Sequence, residues 1–228
     1  MRYWSIFTKL LKTKILSTVV FNFRYLPFKQ ALHLPVWLYP GVIIKVQGGV
    51  KIDCAASPGM IKIGKNDYYP TTIKPVCNWN ISGTVVFSGK INFLQSSEVY
   101  VAPNAVLSFG SGGAFCGSNF RCYCYNRIDL GNTQITWECS LDDNNEVIRI
   151  GNGVWVGNRT TILGRTIIAD NVIVAQCSTV HGDYAQCGDN IILAGNPAEV
   201  KSDNVACIWD TLEEKQLDSR FGYSRTHL

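Results

Sequence analysis

A repeat with a period of six residues, between Ile150 and Ala185, constrains the fold of this chain more than any other feature. Written in sixes, it reads IGNGVW, VGNRTT, ILGRTI, IADNVI, VAQCST and VHGDYA. The first position is always Ile or Val, and the third is Asn, Asp or Gly in five of the six. β-branched aliphatics favour buried strand positions, whereas Asn, Asp and Gly favour tight turns. The repeat therefore predicts short strands separated by regular corners.

The period of six is compatible with stacked strands and not with a helix. Residues six apart lie about 600° apart around an α-helix and do not share a face. Three strands and three corners instead make one triangular coil of about 18 residues, and such coils stack about 4.8 Å apart with the first-position aliphatics inside. Regular coils are expected in residues 150–185, and weaker spacing in residues 81–128 predicts further coils. We therefore predict an all-β fold, a β-solenoid of parallel strands.

The N-terminal segment 1–52 is strongly basic. No acidic residue precedes Asp53, so the eight Lys and Arg residues before it give a charge of +8. Apolar residues in SIFTKLLKTKILSTVVFNF recur with the 3.6 period of an amphipathic helix, and the longest uncharged run there is too short to span a membrane. Two interpretations stay open: the helix docks on its own domain, or it makes peripheral contact with an anionic membrane surface. Nucleic-acid binding is not expected, because aliphatic residues separate the basic ones.

Cysteine usage predicts the compartment. The nine cysteines are odd in number, and no secretory signal peptide is recognised ahead of them. We therefore expect reduced thiols in a cytoplasmic protein. The chain has no CxxC pair, so we predict no metal site. Small hydrophobes suit the interior of a narrow solenoid, and this role is predicted for Cys116, Cys122, Cys124 and Cys139.

Several motifs resemble one protein family. IGNGVWVGNRTTIL, IIADNVIVAQCSTV and ILAGNPAEV are similar to the hexapeptide-repeat acyltransferases, and TWECSLDD and NFRYLPFKQALHLP resemble segments of their capsule and O-antigen type sugar O-acetyltransferases. The resemblance implies a left-handed parallel β-helix, here residues 53–201, with a helical lead-in at 1–52 and a short C-terminal extension at 202–228. It also implies a homotrimer that transfers an acetyl group from acetyl-CoA to a hydroxyl of a surface-polysaccharide sugar.

The resemblance further implies cofactor contacts in a groove between adjacent β-helices. It assigns Trp155 and Asn158 to this groove, although Trp155 also suits packing between subunits. The remaining contacts that it implies are Gln176, Ser178, Asn196, Pro197 and Lys201.

The catalytic base of the family has no direct counterpart. Family members carry a histidine in an acidic D-x-D-x-H loop, where it takes the proton from the acceptor hydroxyl. In this chain the loop falls on Asp143, Asn145 and Val147, so the histidine is absent. Asp143 and His181 are the remaining catalytic candidates, about 10 Å apart over two coils and too far for a hydrogen bond. The alternative is a catalytically degenerate β-helix that acts as a structural or regulatory partner in polysaccharide assembly.

Overall fold

The repeating strands form a prism, because each turn of the chain adds one strand to each of three sheets. The structure, a computed structural model, describes residues 2–65 and 76–205. The chain passes through faces A, B and C in that order, and neighbouring strands in each face are parallel apart from the last pair of face A. We call each turn a coil and name the corners AB, BC and CA after the faces that they join.

The strands are short and are distributed evenly over the three faces. Face A contains β1 (Val36–Leu38), β4 (Ile61–Lys65), β7 (Ile91–Leu94), β10 (Ala114–Cys116), β13 (Thr133–Ile135), β16 (Val154–Val156), β19 (Ile173–Val174), β21 (Ile192–Gly195) and β22 (Ala198–Ser202). Face B contains β2 (Val42–Val46), β5 (Cys77–Ile81), β8 (Glu98–Val101), β11 (Arg121–Cys124), β14 (Ser140–Asp142), β17 (Thr161–Leu163) and β20 (Thr179–Val180). Face C contains β3 (Gly49–Ile52), β6 (Thr84–Phe87), β9 (Val106–Phe109), β12 (Arg127–Leu130), β15 (Val147–Ile150) and β18 (Thr166–Ile168).

The period of six arises from the interior of the prism. Ile150 pairs with Ile168, and Val156 pairs with Val174, so each aliphatic stacks on its counterpart one coil later. The six first-position side chains are all buried: Ile150, Val156, Ile162, Ile168, Val174 and Val180. The predicted fold class, a left-handed parallel β-helix with a helical lead-in, is confirmed.

The earlier coils fill the same interior with larger side chains. The ring of Phe93 packs edge-on against Trp79 at 4.6 Å and against Phe109 at 5.3 Å between ring centroids. Such aromatic contacts replace the uniform aliphatic column, and this explains why the sequence repeat is weak upstream. The inward packing predicted for four cysteines is confirmed by their burial: Cys116, Cys122, Cys124 and Cys139.

The lead-in consists of α1 (Arg2–Leu10), α2 (Ile15–Tyr25) and α3 (Phe28–Ala31), and α2 covers the open edge of face A. Asn22 Nδ2 donates a hydrogen bond to the Val36 carbonyl at 2.7 Å, and its Oδ1 accepts the Val36 N–H at 3.1 Å. Thr18 Oγ1 accepts the Leu38 N–H at 3.1 Å. These side chains satisfy the backbone groups of β1 that no preceding strand pairs. The docked-helix interpretation is therefore confirmed for this side of α2.

The lead-in helices end at Ala31, and the coils begin at Val36, inside the segment 1–52 that the sequence assigns to the lead-in. None of the described helices is long and apolar enough to cross a membrane. At the far end a 3-10 helix, Ala185–Cys187, precedes β21, and β22 turns back antiparallel to it. Most of the predicted extension 202–228 lies outside the described residues.

Candidate functional site

A pocket of about 560 Å³ follows the AB corner across five successive coils. It is lined by Gln95, Ser118, Asn119, Trp137, Glu138, Asn158, Arg159, Gln176 and Cys177. Because the coils stack at about 4.8 Å, the first and fifth of these corners are about 19 Å apart along the prism axis. The pocket is thus an elongated groove that suits an extended ligand.

The corner residues keep side chains at backbone positions that favour glycine. Glu138, Arg159 and Cys177 have φ values of 61°, 58° and 58°, in the left-handed region. A residue with a Cβ atom pays about 1 kcal/mol or more there, and only Asn and Asp adopt it with ease. The same conformation recurs at corners outside the pocket, as at Arg165 with φ 61°, so it is a general feature of the coil corners. All three of these side chains line the pocket.

Hydrogen bonds between coils fix the wall of the pocket. The Arg159 N–H donates to the Trp137 carbonyl at 3.0 Å, and the Cys177 N–H donates to the Asn158 carbonyl at 2.8 Å. The Asn158 side chain also takes part, since its Oδ1 accepts the Trp137 N–H at 3.3 Å. The corners are therefore held in register before any ligand binds.

The polar groups of the pocket include one ion pair and two atoms without a hydrogen-bond partner. Arg159 Nε lies 2.7 Å from Glu138 Oε2, and both side chains are largely exposed. Gln95 Oε1 and Trp137 Nε1 are buried with no hydrogen-bond partner among the described residues. The lining therefore offers a ligand one cation and several side-chain amide groups. No group of three or more His, Cys, Asp or Glu within residues 2–65 and 76–205 is arranged to hold a metal ion.

The structure brings two of the seven predicted cofactor contacts, Asn158 and Gln176, into this pocket. Ser178 is buried beneath it, and its Oγ accepts the Gly195 N–H at 3.2 Å. Trp155 points outward from the middle of face A, where its side chain is 41% exposed.

The three other predicted cofactor contacts lie at the C-terminal end of face A. Asn196 and Pro197 form the turn between β21 and β22, and Lys201 on β22 pairs with Glu199 at 2.7 Å. None of the three lines the pocket, but the turn adjoins it, since Gly195 before the turn bonds to Ser178, the residue after Cys177. A cofactor role for these three residues stays a prediction.

Asp143 lies at the BC corner and supports its backbone. The carboxylate is fully buried and accepts the N–H groups of Tyr125 and Asn126, each at 2.8 Å, and of Asn145 at 3.1 Å. Burial and the neighbouring Asp143 carboxylate raise the pKa of the Cys124 thiol to about 12. Asp143 therefore holds two successive corners together, and a catalytic role for its carboxylate stays a prediction.

His181 lies at the BC corner two coils further on. Its Nδ1 is 2.7 Å from the carbonyl oxygen of Gly164, and its side chain is exposed. A carbonyl oxygen only accepts, so this contact assigns a proton to Nδ1 and, in the neutral ring, leaves Nε2 as the acceptor. Gly164 in turn stacks closely on Asp143. A Cβ atom at residue 164 would therefore collide with the Asp143 carbonyl oxygen. Asp143, Gly164 and His181 thus form one column.

The pocket and His181 lie on opposite edges of face B. Cys177 at the AB corner and His181 at the BC corner are joined by β20 and are four residues apart, which corresponds to about 13 Å in an extended strand. His181 is therefore too far away to contact a small group bound beside Cys177 in the same copy of the chain.

Sequence reasoning missed most of the residues that line the pocket. Arg159 and Cys177 both occupy the fourth position of a repeat, 18 residues apart, so their stacking was available from the period. Glu138 precedes Arg159 by 21 residues instead, because its coil is longer, and no regular spacing marks it.

Comparison with known proteins identifies the repeat. Residues 148–182 match the protein-family model described as bacterial transferase hexapeptide (six repeats), which confirms the hexapeptide resemblance there. No curated protein sequence matches the chain significantly.

Solved structures similar to the chain include two acetyltransferases and an N-acyltransferase. The polySia specific acetyltransferase NeuO is 15% identical to this chain, and the alignment covers 82% of this chain and 92% of the NeuO chain with a TM-score of 0.46. The polysialic acid O-acetyltransferase OatWY has 16% identity, coverages of 78% and 94%, and a TM-score of 0.39. AntD, an N-acyltransferase from Bacillus cereus in complex with dTDP and 3-hydroxybutyryl-CoA, has 15% identity, coverages of 79% and 86%, and a TM-score of 0.36.

The support that Asp143 gives to the BC corner is testable by truncation. Asp143→Ala leaves three backbone N–H groups without their charged acceptor, so we expect the free energy of unfolding to fall by about 2 to 4 kcal/mol. Asp142→Ala is the matched control: the Asp142 carboxylate accepts the Asn144 N–H, and we expect its loss to cost less than about 1 kcal/mol. Denaturant unfolding at one protein concentration measures both. Equal stability of the two variants would contradict the structural role of Asp143.

Proposed function

We propose that this chain is an acyltransferase that moves an acetyl group from acetyl-CoA to a hydroxyl of a surface-polysaccharide sugar, in the cytoplasm. The observation that carries the proposal is the elongated polar pocket on coils that include the hexapeptide repeat of bacterial transferases. The resemblance of the motifs supports the same reaction, and the pocket offers a place for the donor.

The pocket residues suit the chemistry of acetyl-CoA. The pantetheine arm of the cofactor carries amide N–H and C=O groups, and the side-chain amides of Asn158 and Gln176 offer complementary hydrogen bonds. Arg159 is the cation of the lining and suits a phosphate. Its exposed ion pair with Glu138 contributes about 0 to 1 kcal/mol, so a phosphate can replace that partner at little cost.

His181 is the general base of this proposal. With Nδ1 bonded to the Gly164 carbonyl, Nε2 is oriented outward and accepts the proton of the sugar hydroxyl. The hydroxyl oxygen forms a bond to the acetyl carbonyl carbon, the thioester bond breaks, and the coenzyme A thiolate takes the proton back from His181. Asp143 acts as a positioning residue, because it holds the corner on which Gly164 stacks.

The separation of about 13 Å between pocket and base argues for a site that is shared between copies of the chain. In this arrangement the AB corner of one copy faces the BC corner of its neighbour, as in the homotrimer that the resemblance implies. The exposed Trp155 on face A offers an apolar contact for such an assembly. The cofactor would then lie between two β-helices.

The alternative, a catalytically degenerate partner in polysaccharide assembly, is favoured by the loop that lacks the family histidine. Val147 takes that position and lies in β15, paired with Arg127, so the loop at 143–146 is a tight corner. The finding that this protein binds no acetyl-CoA at millimolar cofactor concentration would support this alternative.

Arg159 provides a test of the cofactor pocket that has a close internal control. Arg159→Gly removes the pocket cation and relieves the left-handed strain, so we expect acetyl-CoA affinity to fall at least about tenfold while the protein stays folded. Arg149 in β15 is an exposed arginine whose Nε lies 3.9 Å from Asp129 on the outer side of face C, away from the AB and BC corners, so Arg149→Ala should leave affinity unchanged. Calorimetric titration measures both variants. Equal losses in the two, or none in either, would remove Arg159 from the cofactor site.

His181→Ala tests the catalytic base. General-base assistance is worth about 10²- to 10⁴-fold, so we expect acetyl transfer to fall at least about a hundredfold while acetyl-CoA affinity changes little. His33→Ala is the control, since His33 is an exposed histidine at the end of the lead-in and should leave transfer unchanged. Release of the coenzyme A thiol is measured with a set of surface polysaccharides and their monosaccharides as acceptors. Unchanged transfer by folded His181→Ala would exclude this base.

A further inference from the structure

Exposed apolar side chains are concentrated on the lead-in. Of the thirteen large hydrophobic residues that are exposed among the described residues, eight lie between positions 7 and 32. Leu16 is 78% exposed and Phe28 67%. We define the outer face of the lead-in as Leu16, Val20, Phe23 and Phe28. An apolar cluster of this density on a folded surface marks an interaction site.

The outer face is continuous and held in place. Leu16, Val20 and Phe23 follow one another at helical spacing along one side of α2, and the Phe23 ring packs edge-on against Phe28 at 6.0 Å, which extends the cluster onto α3. The opposite side of α2 carries Thr18 and Asn22, whose hydrogen bonds fix it to β1. The docking of α2 on its own domain therefore orients the apolar side chains away from the β-helix.

The lead-in that carries the outer face is strongly basic. Lys9, Lys12, Lys14, Arg24 and Lys29 are all exposed, and no acidic residue precedes Asp53. Lys62 and Lys65 of β4 add to this positive charge. The pKa of each is lowered, mainly by burial and further by the charges of neighbouring lysines, which include Lys9. The cations are thus close enough to repel one another, and an anionic partner would relieve that repulsion.

Charge and apolarity together select among the possible partners. A second copy would bring an equally basic surface against this one, which repulsion disfavours. A nucleic acid would satisfy the lysines but not the apolar stripe between them. An anionic lipid surface satisfies both, because an amphipathic helix buries its apolar side about 5 to 10 Å into the headgroup boundary while its cations meet the anionic headgroups.

We propose that the outer face of the lead-in, together with the lysines and arginine of the lead-in, docks this chain on the surface of an anionic membrane. The helices lie on the bilayer and do not cross it. This docking is independent of acyl transfer and would hold equally for a chain that binds no acetyl-CoA. Each cation near the surface strengthens binding about fivefold at low salt, so several together with the apolar face give stable peripheral attachment.

Flotation of the full chain with lipid vesicles tests the docking. We expect recovery with vesicles of phosphatidylcholine and phosphatidylglycerol, loss of recovery with phosphatidylcholine alone, and weaker recovery as salt screens the charges. Equal recovery with both vesicle types, or recovery with neither, would overturn the proposal.

A matched pair of variants locates the contact. Val20 on the outer face is 50% exposed, and Val200 on β22 at the opposite end of the prism is 43% exposed. Val20→Asp should weaken binding to anionic vesicles at least about tenfold, because it places a carboxylate in the headgroup boundary, and Val200→Asp should leave binding unchanged. Circular dichroism checks that both variants stay folded. If Val20→Asp lowers the mass in sedimentation and leaves flotation intact, the outer face is an interface between copies and the proposal is wrong.

Discussion

In-register parallel pairing between successive coils is the interaction on which the rest of this structure depends. It places each residue directly on its counterpart one coil earlier, as Val174 lies on Val156, and so converts a linear repeat into columns of side chains. The interior columns form the core, and the columns of the AB corner form the pocket. The same pairing leaves an edge strand at each end of every face, and in face A both edges are covered. Asn22 and Thr18 of α2 cover β1, and β22 covers β21.

The repeat predicted the fold because its signal is the interior column itself. Every first-position residue between Ile150 and Val180 is a β-branched aliphatic that fits a narrow space, so the period is visible where the interior is uniform. It fades where Phe93 and Phe109 fill the same space with rings. The hydrogen bonds that cover β1 were not predictable in detail. In the sequence Thr18 and Asn22 look like ordinary polar residues of an amphipathic helix, and their role depends on which strand the fold leaves unpaired.

The candidate site was predictable only in part, for a related reason. Asn158 and Gln176 belong to the regular coils and were assigned from the motif, whereas Glu138 lies in a longer coil that breaks the spacing. Asp143 matches an acidic loop by alignment, but its burial and its three backbone donors depend on the corner before it. Backbone strain at Glu138, Arg159 and Cys177 is likewise a property of the folded corner that residue types do not disclose.

The central claim of this account is that acetyl-CoA occupies the pocket at the AB corner, and the reactivity of Cys177 tests it most directly. Cys177 and Cys187 are both exposed, and only Cys177 lines the pocket. Carbamidomethylation of each thiol is followed by peptide mass spectrometry with and without acetyl-CoA. At ten times its dissociation constant the cofactor should slow modification of Cys177 about tenfold and leave Cys187 unchanged. Equal rates at Cys177 with and without saturating acetyl-CoA would contradict the claim.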